Sequence, residues 1–93
     1  MATNTQIMIK DPDAVKPYGV TWADWLEDGE TISTSTWIAD TGITVDSSSK
    51  TDTVATVWLS GGTDKRNYTV TNRIVTSLGK TDDRSLIIQV RQQ

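Results

Sequence analysis

Residues 67–91, NYTVTNRIVTSLGKTDDRSLIIQVR, place two β-rich runs on either side of a polar turn. Tyr68, Val70 and Ile74 share one side of the first run, and Leu86, Ile88 and Val90 share one side of the second. Successive strand side chains point to opposite faces, so each set can line one buried face of an antiparallel pair. A hairpin of this kind is expected to close a small β-sandwich.

A chain of 93 residues is long enough for one core and too short for two. It contains no cysteine and no histidine, which removes disulfides, the thiol nucleophile, the commonest general base and the commonest zinc ligand. Catalysis is not expected, and no catalytic, cofactor-binding or metal-binding residue is assigned. The net charge is −3, and the nine Lys and Arg residues are scattered, so no nucleic-acid footprint is visible. The N-terminal stretch shows no basic segment followed by a secretory apolar run, and nothing approaches the roughly 20 apolar residues of a membrane span. A soluble product made in a cytoplasm is expected, with neither nucleic acid nor membrane as partner. The hydrophobic fraction is 35%, Thr and Ser are plentiful, and Phe is missing. That balance fits a thin all-β domain with one face of each sheet in water.

In chain order, residues 5–10 alternate Ile7 and Ile9 against Met8 and read as an edge strand. Pro12 and Pro17 then interrupt any ladder, so residues 1–17 form an edge strand plus a Pro-containing arm and residues 18–93 form the sandwich. VTWADWL, residues 20–26, reads as a strand before the EDGE turn, although Trp22, Trp25 and Leu26 also share a face at helical spacing. Residues 31–37 form a Thr/Ser-rich strand ending on Trp37, ADTG a turn, residues 43–46 a short strand, and SSSKTD a loop. In residues 53–62, Ala55, Val57 and Leu59 alternate with Val54, Thr56 and Trp58 before Gly61-Gly62. About seven antiparallel strands result, the pattern of an immunoglobulin-like β-sandwich. In that scheme Trp37 faces the core from the third strand, and Tyr68 occupies a corner where its hydroxyl bonds back to the backbone.

Four tryptophans without a phenylalanine is the unusual feature. Trp22 and Trp37 suit the core. Trp25 and Trp58 fall on the opposite alternation, so one or both are expected to be exposed, as a protein interface or as a stacking platform for sugars. Ile7 and Ile9, on the strand before the two prolines, complete the candidate partner-binding set as a docking arm. Asp11 and Asp13 are too few for calcium and read as a solvated turn. Asn67-Tyr68-Thr69 matches a glycosylation pattern that has meaning only on a eukaryotic secretory route. Asp82, Asp83 and Arg84 read as a solvated hairpin tip, and Tyr68 and Asn72 as structural anchors.

The segments DPDAVKPYGVTWADWLEDGETISTSTW, GITVDSSS and TVWLSGGTDKRNYTVTNRIVTSLGKTDDRSLIIQV together resemble a group of small proteins of tailed bacteriophages and prophages, often called fiber-tail adaptor proteins. The resemblance runs from Lys10 to Val90 and departs at Thr21, where similar sequences carry an acidic residue. It implies an immunoglobulin-like structural component of the virion without catalysis or cofactor. Its partners would be other virion proteins, such as portal, tail, fiber or capsid, engaged in multiple copies of a symmetric assembly. An adaptor at the head–tail or tail–fiber junction is the leading expectation. Capsid decoration by the same fold and a host-glycan module using an exposed tryptophan are the rivals.

Overall fold

Threonine, valine and isoleucine crowd the backbone near Cβ and favour extended conformations, and the runs rich in them become strands. The computed structural model describes residues 5–92. Its elements are β1 (Thr5–Lys10), β2 (Lys16–Thr21), β3 (Ile32–Ala39), β4 (Ile43–Lys50), β5 (Val54–Gly61), β6 (Asn67–Thr76) and β7 (Thr81–Val90). They form two sheets, ordered β1-β7-β6-β3 and β2-β5-β4. The seven-stranded all-β sandwich is as expected, and its strand order is compatible with an immunoglobulin-like arrangement. Residues 1–4 of the expected arm and residue 93 lie outside the described residues.

Several local expectations change. The second strand is Lys16–Thr21 rather than 20–26, so Pro17 sits inside an edge strand, where proline is tolerated, and strand pairing crosses residue 17. The Trp25 and Leu26 amides donate to the Trp22 carbonyl at 2.9 and 3.0 Å, making a helical turn in place of a strand. β3 continues past Trp37 to Ala39. The expected loop at Ser47–Lys50 is strand, because a bulge between Val45 and Ser47 restores its register with Trp58–Ala55 of β5. β1 runs parallel to β7, not antiparallel, since its chain leaves at Lys10 and crosses to the other sheet instead of turning back. Asp82, Asp83 and Arg84 are not the hairpin tip. The turn falls at residues 77–80, where Gly79 takes φ 82 and its amide donates to the Thr76 carbonyl at 2.9 Å, so Thr81 already pairs with Val75.

Period-2 alternation fills the space between the sheets. Ala55, Val57 and Leu59 of β5 face Val70 and Ile74 of β6 and Leu86, Ile88 and Val90 of β7, all buried. Trp22, fully buried, is the largest side chain of this core and enters it from the turn after β2. Trp37 faces inward as expected but is only half-buried at the core's margin, and its enclosed indole N–H has no partner among the described residues.

Tyr68 makes the expected corner: its hydroxyl accepts the Thr63 amide at 2.8 Å. Its ring lies between two glycines with positive φ. A Cβ on Gly42 would stand 2.9 Å from Tyr68 Cε2, and one on Gly62 would stand 2.6 Å from Val90 Cγ2 and 3.4 Å from Tyr68 Cε1. The Gly62 amide donates to the Gly42 carbonyl at 3.0 Å, which ties the β3–β4 turn to the end of β5. Gly79 has a similar φ with nothing within 4 Å of an added Cβ. Gly62→Ala is therefore expected to cost about 1–3 kcal/mol more than Gly79→Ala, since both bear the positive-φ penalty and only the first overpacks. Urea denaturation of the two variants measures the difference, and equal losses would contradict a packed corner.

Candidate functional site

The turn after β2 is built by local hydrogen bonds. The Glu27 amide donates to Glu30 Oε1 at 2.9 Å, and the Glu30 amide donates to the Glu27 carbonyl at 2.9 Å. This folds Trp25 back onto Trp22 in an edge-to-face contact, with centroids 5.5 Å apart and planes at 69°. Of the two tryptophans of which one or both were expected to be exposed, Trp25 is half-buried, because a turn and not an alternating strand sets its direction. Lys80 lies 5.8 Å above its ring and pairs with Glu27 at 2.8 Å.

Arg84 covers the other indole. Its guanidinium lies 4.4 Å from the Trp22 centroid, donates to the Thr21 carbonyl at 2.6 Å, and reaches Asp24 at 3.0 Å. Beside it opens a cleft of about 90 Å³ lined by Gln6, Val20, Thr21, Asp24 and Arg84. The Arg84 hydrogen bond holds the Asp24 carboxyl below the usual carboxylate range, so the group stays ionised and offers no proton to donate. The Glu27 amide, then the Thr76 hydroxyl and nearby Lys80, do the same for buried Glu30. Across the outer face, Arg73 grips Asp83 with two bonds of 2.9 and 3.1 Å and lowers its pKa. Among the described residues no three His, Cys, Asp or Glu side chains gather as metal ligands.

Trp58 and the two isoleucines lie elsewhere. Trp58 stands on the outer face of the three-stranded sheet, 41% exposed, in register with Pro17 of β2 and Ser47 of β4. The next row, Gly19–Thr56–Ser49, is also small and uncharged. Ile7 and Ile9, 63% and 53% exposed, lie on the outer face of the other sheet, while Met8 and Lys10 turn inward. Ile7 is in register with Ile87 of β7, which faces Thr69 of β6. Ile38, exposed on β3, belongs to the same face at its far edge. It escaped the sequence reading, which ended that strand at Trp37; continuing the alternation one residue would have turned it outward. The structure therefore brings Ile7 and Ile9 together, puts Trp58 on the opposite face, and folds Trp25 against the core.

These contacts set two expectations. Arg84→Lys loses the forked bonds and much of the stacking, and should lower stability by about 1–2 kcal/mol in urea denaturation. Asp24, Glu30 and Asp83 all have folded pKa values below their unfolded ones, so the stability they supply is complete above the ordinary carboxylate values and is lost as pH falls through the folded values. The urea midpoint, followed by tryptophan fluorescence, should be flat near neutrality and fall below about pH 4. An acid-insensitive midpoint would contradict these pairings.

No curated protein matches the chain significantly. The sequence model of one family, described as podophage GP4 fiber-tail adaptor protein gp77, matches residues 10–89, from the end of β1 almost to the end of β7. With most of the sandwich covered, the chain belongs to the podophage GP4 fiber-tail adaptor protein gp77 family.

Proposed function

We propose that the protein is a non-enzymatic structural adaptor of the virion, docking in several copies at the head–tail or tail–fiber junction. Family membership supports the adaptor role. The observation that carries the docking mode is the separation of exposed hydrophobic side chains on opposite faces, Trp58 on one and Ile7 with Ile9 on the other. An adaptor has to hold two neighbours at once, and two faces of a rigid sandwich do so without a moving part. Modest contacts become firm when repeated around a symmetric ring. Trp25 enters this reading as the support that fixes the turn beside the cleft, with its remaining exposed edge available to a partner.

Trp58 is the residue expected to matter most for docking. A central tryptophan typically contributes about 2 kcal/mol or more to an interface, roughly a 30-fold change in affinity. Trp58→Ala should leave the fold intact, because the side chain stands on an outer face, yet deplete the protein from purified particles. Ile7→Ser with Ile9→Ser is a better probe of the N-terminal arm than deletion, which would strip β7 of its neighbour. Quantitative proteomics of virions should find about six to twelve copies for a portal or tail ring, whereas hundreds would mean capsid decoration. The same indole on small neighbours also suits sugar stacking, so quenching of its fluorescence by host polysaccharide, with normal particle assembly in Trp58→Ala, would overturn the adaptor reading.

A further inference from the structure

We infer that the open edge of β1 pairs with β1 of a second copy of this chain, antiparallel and about a two-fold axis through Met8. The inference names the occupant of one of the two surfaces on which the adaptor reading rests. It starts from the backbone. The Lys10 carbonyl accepts the Arg91 amide at 2.9 Å, and Lys10 is in register with Val90. In a parallel ladder, alternate residues direct both backbone groups to the neighbour, so Gln6, Met8 and Lys10 face β7 and Ile7 and Ile9 direct theirs to the open side. The Tyr18 hydroxyl, 3.3 Å from the Ile9 carbonyl, reaches it from that side. A carbonyl has two lone pairs, so this long bond leaves room for a second donor.

The other three edges carry devices that discourage strand addition. β2 contains Pro17, β3 is bulged between Ile32 and Thr34, and β4 is bulged between Val45 and Ser47. β1 has neither proline nor bulge. Its lysine, Lys10, is turned inward and fully buried at the strand's end, where Nζ donates to the Asp11 and Gly61 carbonyls at 2.9 and 2.7 Å. Apart from the Tyr18 hydroxyl at the Ile9 carbonyl, the stretch from Gln6 to Ile9 carries no such device and no charge.

The sequence of β1 is complementary to itself in this register. Ile7 falls opposite Ile9 of the partner subunit and Met8 opposite Met8 of the partner subunit. Lys10 meets Gln6 of the partner subunit, so no like charges oppose each other. The outward backbone groups of Ile7 and Ile9 then form hydrogen-bonded pairs, and the isoleucines of both copies close into one apolar cluster continuous with Ile87. A six-residue edge buries far less than the roughly 1,200–2,000 Å² of a standard interface, so the isolated dimer should be weak and gain from multiplicity in a particle.

Sedimentation velocity up to about 1 mM, the range in which contacts of this size populate, combined with amide exchange read by NMR, tests the pairing. The expected result is a concentration-dependent dimer in which the Ile7 and Ile9 amides become protected. Ile7→Pro removes an outward N–H without touching the β7 ladder, and Ile7→Thr with Ile9→Thr keeps strand propensity should the proline variant misfold. Each should weaken dimerisation at least tenfold. A monomer throughout, with both amides exchanging freely, overturns the inference, as does a dimer indifferent to the folded variants. Protection that appears only on adding another purified virion protein assigns the edge to that protein and equally overturns it. A monomeric chain that still enters virions would leave the adaptor reading standing and remove this inference alone.

Discussion

The hydrogen bond from Trp22 Nε1 to Asn72 Oδ1, 2.9 Å long and buried, is the contact on which the rest of the sandwich depends. A fully enclosed indole fills a core that has no phenylalanine, but its N–H must find an acceptor or lose the water it gave up. Asn72, at the middle of β6, supplies one from an inward-facing position. Its amide nitrogen then donates to Ser35 Oγ at 2.8 Å and to the Thr36 carbonyl at 3.2 Å, both on β3. One polar side chain thereby ties the turn after β2 in one sheet to two adjacent strands of the other. Arg84, on β7, stacks over the same indole and holds the Thr21 carbonyl and Asp24. The network fixes the angle at which the chain leaves β2, and with it the position of Trp25 and of the cleft.

That polar centre has a counterpart on the outside. β1 turns its lysine inward and its isoleucines outward, the reverse of an ordinary half-buried strand. Burial pushes the Lys10 pKa below its usual value, with neighbouring Asp11 acting the other way, so holding the ammonium there costs desolvation. Two backbone carbonyls offset part of that cost. The arrangement leaves two large aliphatic side chains in water on a strand with an open backbone edge, the combination that strand pairing would cover.

Much of this was legible in the sequence where one period dominates. Alternation in residues 54–59, 68–74 and 86–90 locates the inner faces of β5, β6 and β7, and the lone Tyr68 before an alternating run marks the corner. The same rule puts Ile7 and Ile9 on one face of β1 but does not say which way that face points, since here the lysine and not the isoleucines turns inward. The stretch 20–26 was ambiguous because β-favouring Val20 and Thr21 lead into Trp22, Trp25 and Leu26 at helical spacing. The choice is made by backbone bonds to the Trp22 carbonyl and by the distant Asn72, neither of which local propensity contains. Ser47–Lys50 has the composition of a loop and becomes strand only because β5 lies beside it. The direction of Trp25 was not legible for a related reason: an alternation argument assigns direction only where there is a strand.

The proposed adaptor role fits how little the surface specialises. Arg73 with Asp83, Lys80 with Glu27 and Arg84 with Asp24 are paired within the chain, so these charges are not held in reserve for a ligand. Trp58, in register with Pro17 and Ser47, and the β1 isoleucines, beside Ile87, lie on opposite faces. A single contact of either kind would be weak by area. In the symmetric assembly we propose, weak contacts at two opposed positions would suffice, because after the first copy is seated each later contact forms at high effective concentration. The Trp22–Asn72 bond joins the turn after β2 to β6 of the other sheet and so ties the two faces to one core.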